Sequence, residues 1–571
     1  MNQTDPLFRA YKYAPGPERH PGRPIPLAFF IESTAPDNID VDALAPSDVP
    51  ELKRINPDDA INDIAGSLAE ANDPTLVVAV HGFNTPRAAV LRRYQDSFDA
   101  VHGDPEISPH GLVCLGYRWP SEAIGSDRRS WLSAAPLLLR GLLAGGLAVA
   151  ALLLVVLVAL TYFIIHAHHW WAAIAALAAA ILFLATSMLL AIPFASYVLR
   201  GAVYFRDTYR ATQYGVPDLV EIIRQIDTRI MTITAERKLP ERVVKLAFLG
   251  HSMGGYVVTS TIRILSDVFE PHSLRSSLNE GVVASRATKA NDERDHLTFV
   301  IREGEEEAGG DIGNVFELTR LVLVSPDIPA EALISNRANF LEASLRRVRE
   351  AYLFSNGEDE VLRQVSTLAN SFSFPNRDWK YGFRLGNVEV VAKNETVTYR
   401  TDQPGPTGYL NDLRVGYHTL GKLYADLRLD KQNALPLVFS YFDCTDYVEG
   451  GRRILSLVDR GTGASNRLKT VSPFRHILLL LNYLRGQPPD VHGGYFDLDA
   501  ATSKRLIYRL LCIGFDATTK TFAGITGMAD ACNRRGIEVL LSPYVGTGAP
   551  LPRTAAHPPA GLIARRVRRH P

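Results

Sequence analysis

Cysteine is scarce in this chain of 571 residues. Its four copies, Cys114, Cys444, Cys512 and Cys532, stand far apart and form no CxxC pair. A zinc ribbon or a disulfide scaffold is therefore not expected. An excess of either charge is also missing, since Lys+Arg and Asp+Glu both number 61. That balance argues against a chain-wide nucleic-acid binder and against an acidic disordered chain. Lysine supplies only 12 of the 61 basic residues, so arginine dominates. There is no P-loop, no GxGxxG after a strand, no zinc-ligand spacing and no internal repeat. Met1 to His20 lacks an apolar core, so no cleaved signal peptide is expected.

On average the chain reads as an ordinary soluble protein, 46% hydrophobic and 21% charged. Its length implies more than one structural unit. The average conceals another absence. Between Arg140 and Arg200 lie 59 residues without a single Asp, Glu, Lys or Arg. Across the other 512 positions the charged share is about 24%, the usual globular level.

Gly141 to Ile165 and Trp171 to Leu199 are uncharged runs of 25 and 29 residues. Each exceeds the roughly 20 residues a helix needs to cross the hydrocarbon. The short link His166-Ala-His-His-Trp-Trp171 suits the interface, where tryptophan rings sit at headgroup level. The segment 136–200 is therefore expected to be a transmembrane helical hairpin. Gly141 and Gly145, with Ala172, Ala176 and Ala180, give small residues at four-residue spacing, which would favour a homo-oligomer through the hairpin. Arg128, Arg129 and Arg140 precede it, and Arg200, Arg206 and Arg210 follow. By the positive-inside rule the soluble part and both termini face the cytoplasm, with the hairpin in the inner membrane. The three histidines of the link read as interfacial polar residues, and no metal site is expected.

The chemistry lies outside this block. Thr75-Leu-Val-Val-Ala-Val80 is a buried-strand run that ends in His81-Gly-Phe-Asn-Thr85. A helix is expected from Arg87 to about Val101, then a strand from Leu112 to Tyr117 that ends in Arg118-Trp-Pro-Ser121. After the hairpin come a helix from about Val203 to Thr234 and a strand from Val243 to Leu249. That strand enters Gly250-His-Ser-Met-Gly-Gly255, and a helix follows to about Val268. Strands alternating with helices imply an α/β fold with a mostly parallel sheet and helices on both faces.

Gly250-His-Ser-Met-Gly254 fits the G-x-S-x-G nucleophile elbow in its strand–turn–helix setting. Ser252 must sit on a tight, strained turn, and the flanking glycines remove Cβ atoms that would clash. The N–H of Met253 can then face a developing oxyanion, with the N–H of Phe83 as the second donor.

Together HGFNT, RWPS and GHSMGG resemble a bacterial branch of the α/β-hydrolase superfamily, over about Thr75 to Phe515. The resemblance implies a Ser–acid–His triad in that chain order. Asp359, in Ser355-Asn-x-x-Asp359, resembles the family's acid loop. Asp327, after Leu321-Val-Leu-Val-Ser-Pro, is the alternative acid, or a helix cap. His492, in a glycine-rich loop after the strand Pro436 to Tyr441, is the expected base. His418 precedes that strand, His476 falls in a helix-like run, and His251 is read as a packing residue.

The expected organisation is an N-terminal segment 1–73 with leading strands such as Ile25 to Ile31, and a first half of the core at 74–135. The hairpin at 136–200 follows. The second half of the core spans 201–371 and carries a surface insertion at 274–311. A β-rich insertion at 372–430 and a C-terminal part of the core at 431–547 come next. A basic tail, 548–571, holds Arg565-Arg-Val-Arg-Arg569. The expected function is a membrane-embedded serine hydrolase, lipase- or phospholipase-like, cleaving acyl esters of bilayer lipids without cofactor or metal and without a nucleic-acid partner. The alternatives are a tethered esterase or thioesterase acting on soluble or protein-bound acyl groups, and a non-enzymatic membrane scaffold.

Overall fold

The computed structural model describes residues 6–14, 26–35, 51–121, 201–269, 312–330, 348–359, 361–366, 383–390, 410–415, 418–426, 435–455 and 490–542. It also describes residues 332, 345 and 545 and eleven positions between 155 and 181. Two compact units are present: Met1–Ser121 with Arg210–Pro571, and Glu122–Tyr209.

The first unit is built on one ten-stranded sheet. Its strands are β1 (Phe8–Tyr13), β2 (Leu27–Ser33), β3 (Leu52–Ile55), β4 (Thr75–Val80), β5 (Leu112–Arg118), β6 (Val244–His251), β7 (Phe316–Val324) and β8 (Glu350–Ser355). A smaller antiparallel sheet, within the segment 372–430, holds β9 (Val388–Val390), β10 (Leu413–Val415) and β11 (His418–Thr419). The main sheet resumes with β12 (Phe439–Asp443), the short pair β13 (Val448–Glu449) and β14 (Arg452–Arg453) follows, and β15 (Glu538–Leu540) closes the main sheet. The order is β15-β12-β8-β7-β6-β4-β5-β2-β1-β3. From β12 across to β2 the pairing is parallel; β15, β1 and β3 pair antiparallel at the two edges. The α/β fold with a mostly parallel sheet is thus observed. The last strand is not the Pro436–Tyr441 run but β15, which follows the His492 loop.

The apolar runs explain the pairing. A parallel strand covered on both faces reads as nearly continuous Val, Ile and Leu. Every residue of β5 is buried, and so is β6 apart from Lys245. On one face Phe30, Val77, Leu249, Val324 and Phe354 share a core with Val90, Tyr94 and Phe98 of the helix Arg87–Gly103, and with Leu506 and Leu510 of the helix Ala501–Lys520. Alternation sends Phe29, Leu76 and Phe248 to the other face. There the helix Pro57–Glu70 packs on Val216–Arg237, which packs on Met253–Phe269. Asn56 caps the first of these, its side chain accepting from the Asp58 N–H at 2.9 Å, with Pro57 opening the helix.

One feature of the order positions the site. From β4 the chain passes to β5 on one side, while β6 lies on the other side of β4. Ligands of open parallel sheets bind at the carboxyl ends of strands where the order reverses in this way. The loops after β4 and β6, holding Gly82 and Ser252, meet at that point.

In the second unit residues 201–209 are helical. The spans expected at Gly141–Ile165 and Trp171–Leu199 lie mostly outside the described residues. Their described positions are helical, and Val155, Val158, Tyr162, Trp171, Ile174 and Ile181 are each more than half exposed. Among the described residues no helix is long and apolar enough to cross a membrane. The insertion 274–311, His476 and the basic tail also lie outside the described residues.

Candidate active site

Ser252 follows the last residue of β6, and Met253 opens the next helix. Its φ is +55°, the left-handed region that β-carbon sterics disfavour in L-residues. The main chain is locked there by three hydrogen bonds of 3.0 Å. Ser252 N–H donates to the Val324 carbonyl, and its own carbonyl accepts from Gly255 N–H and Asp327 N–H. A Cβ on Gly254 would stand 2.6 Å from the His81 carbonyl oxygen, so only glycine lets the elbow lie against the end of β4. A Cβ on Gly82 would stand 2.7 Å from the Ser252 Cβ. The His81-Gly82-Phe83 backbone therefore passes directly beside the serine. Met253, at a helix start, has an N–H with no intrahelical acceptor.

Trp119, from the Arg118-Trp-Pro-Ser121 segment, supports this loop. Its Nε1–H donates to the His81 carbonyl at 2.9 Å, and its ring stacks on the His81 imidazole with centroids 5.4 Å apart. Burial, and then the Arg118 charge, push the His81 pKa down to about 3, so this ring is neutral. Its Nδ1 lies 2.7 Å from the Gly82 carbonyl. Beneath the loop, buried Glu32 pairs with Arg87 at 2.7 Å and Arg118 at 3.1 Å.

The structure brings Asp359 and His492 together. His492 Nδ1 lies 2.6 Å from Asp359 Oδ2, and the carboxylate is fully buried. Asp359 Oδ1 accepts the N–H groups of Val361 and Leu362, while Oδ2 also accepts the Ser325 hydroxyl at 3.1 Å. A buried carboxylate needs such donors. Burial alone disfavours the charged form of His492; the Asp359 charge and hydrogen bond, with Asp490 and Asp327, outweigh it and hold its pKa above the ordinary histidine value. Ser252 Oγ and His492 Nε2 are both buried, and neither has a hydrogen-bond partner among the described residues.

Asp327 does not reach His492. Its carboxylate lies 3.1 Å from Arg384 Nε, and no helix starts at it. His418 sits in the small sheet, in β11. Asp443 ends β12 and accepts the N–H groups of Val390 and Thr445; burial and the nearby Glu389 raise its pKa to about 7.

Three neighbours of the site, Asn356, Ser325 and Arg93, were not among the expected site residues. Asn356 donates to the carbonyls of Leu455 and Val491, so the acid loop pins the base loop. Ser325, with φ +42°, bridges Asp359 and the Tyr495 hydroxyl. Arg93 reaches the His251 ring at 3.2 Å. The Ser355-Asn-x-x-Asp359 spacing marked Asn356 as part of a pattern; nothing local marked Ser325 or Arg93. Among the described residues no cluster of His, Cys, Asp and Glu could hold a metal ion. Comparison with family models, curated proteins and solved structures finds no match to the chain.

Proposed function

We propose that the chain is a membrane-embedded serine hydrolase of the α/β-hydrolase type that cleaves acyl esters of membrane lipids. The observation that carries this reading is the conjunction of a strained Ser252 with a buried Asp359–His492 pair, in which Ser252 Oγ and His492 Nε2 are the unpartnered atoms. Buried polar atoms without partners cost about 1–3 kcal/mol each, and these two are the atoms between which the proposed cycle moves a proton.

In the proposed cycle His492 Nε2 takes the Ser252 proton as Oγ attacks the ester carbonyl. The N–H groups of Phe83 and Met253 hold the oxyanion. His492 then gives the proton to the departing alcohol, and an acyl-serine remains. Water repeats the sequence and releases the carboxylic acid. Asp359 keeps the imidazole in the tautomer with Nε2 free to accept.

The lipid assignment rests on the 59 charge-free residues and on the exposed apolar side chains of the described helical positions there. The chain leaves the first unit after Ser121, three residues past the carboxyl end of β5, and the charge-free run begins 20 positions later, at Gly141. The test is hydrolysis of phospholipid vesicles by the full chain. Fatty acid and lysolipid should appear with wild type and not with Ser252→Ala. Turnover of short soluble esters without turnover of vesicles would replace the lipid substrate with a soluble acyl group.

A further inference from the structure

His251 stands next to the nucleophile, yet its contacts run to the base. Its Nε2 lies 3.0 Å from the main-chain carbonyl oxygen of His492, and its Nδ1 lies 3.2 Å from Arg93 Nη1. A guanidinium only donates and a carbonyl only accepts. Both contacts are satisfied by one form of the ring alone. That form is neutral, with the proton on Nε2 donated to His492 and the Nδ1 lone pair receiving Arg93.

The surroundings hold this arrangement. The His251 and His492 rings pack with centroids 5.0 Å apart, and Phe496 meets His251 edge-on at 5.6 Å. The Arg93 guanidinium lies over the Phe496 ring at 5.5 Å. Burial, and then Arg93, keep the His251 pKa well below the ordinary value. Arg93 belongs to the helix that follows the HGFNT loop. One relay thus joins three loops: the helix after the oxyanion loop, the nucleophile elbow and the His492 loop.

We propose that His251 is a positioning residue that fixes the His492 main chain against the elbow by donating its Nε2–H, with Arg93 selecting the required tautomer. Without it the base loop keeps its Asp359 and Asn356 contacts but loses its tie to the strand that carries Ser252. The proposal rests on the serine hydrolase reading.

The test uses the full chain and a fluorophosphonate probe, with its binding constant and maximal inactivation rate measured separately. His251→Leu removes the donor; His251→Gln keeps an amide N–H at the end of the side chain. The inactivation rate should fall roughly 10- to 100-fold in His251→Leu, as expected for a displaced catalytic group, with the binding constant little changed. His251→Gln should recover most of the rate. Arg93→Leu, outside the elbow, should also slow inactivation, and it serves if His251→Leu does not fold. A wild-type rate in His251→Leu, or equal slowing in the Leu and Gln variants, would overturn the proposal. A wild-type rate in Arg93→Leu would overturn the tautomer assignment. Ser252→Ala separates the two levels, because undiminished labelling there removes the hydrolase reading itself.

Discussion

Gly82→Ala adds one methyl group at the most crowded point of the site. The new Cβ would stand 2.7 Å from the Ser252 Cβ, 3.2 Å from His251 Nδ1 and 3.3 Å from the His251 carbonyl oxygen. Carbon atoms in contact prefer about 3.5–4.0 Å, so roughly 1 Å must open. Ser252 cannot retreat, because its N–H and carbonyl are tied to Val324, Gly255 and Asp327. The His81–Phe83 loop must move instead, carrying the Phe83 N–H away from the oxyanion. Overpacking of this kind costs about 1–3 kcal/mol of stability. Loss of one oxyanion donor costs roughly 10²- to 10³-fold in kcat. The expected variant is folded, melts a few degrees lower, and turns over a short chromogenic ester at least about 100-fold more slowly with a similar KM. A folded Gly82→Ala protein with wild-type kcat would refute the placement of the oxyanion loop.

Three further outcomes follow from the site. Asp359→Asn should lower kcat by roughly 10⁴-fold, the scale of losing the acid that orients a catalytic histidine. Asp327→Asn should leave ester turnover near wild type while lowering stability, since Asp327 faces Arg384 and not His492; the reverse ranking of these two variants would exchange the acids. Because His492 must be neutral to act as a base and its pKa is raised, kcat/KM should rise with pH and reach half its limit above about 6.5. By linkage the His492 contribution to stability is full below about 6.5 and is lost as pH rises through the folded-state value, which chemical denaturation across that range can follow. Glu32→Gln removes the buried carboxylate that Arg87 and Arg118 share, and about 3–5 kcal/mol should be lost in urea unfolding. An unchanged midpoint would show that the pair of arginines is stabilised by other groups.

The centre of the fold was legible because burial on both faces writes itself into the chain. The runs at Thr75–Val80, Leu112–Tyr117 and Val243–Leu249 match β4, β5 and β6 to within two residues at each end. The edges were not. β15 has three residues and pairs antiparallel, too short for any periodicity. β1 and β3 alternate weakly and sit at the opposite edge. The same division holds at the site. The elbow and the Ser355-Asn-x-x-Asp359 loop are local patterns whose spacing is set by the turn each must make. Arg93, Ser325 and Tyr495 come to the site through tertiary packing, across 158 residues for Arg93 and His251 and 170 for Ser325 and Tyr495. No window of sequence contains such a pair.

The central claim is that Ser252 is a nucleophile activated by His492. Reaction of the full chain with a fluorophosphonate, followed by peptide mapping by mass spectrometry, tests it most directly. A single adduct on Ser252 is expected, absent from Ser252→Ala and slowed strongly in His492→Ala. Equal labelling of wild type and Ser252→Ala, or no adduct on Ser252 in a folded protein, would contradict it.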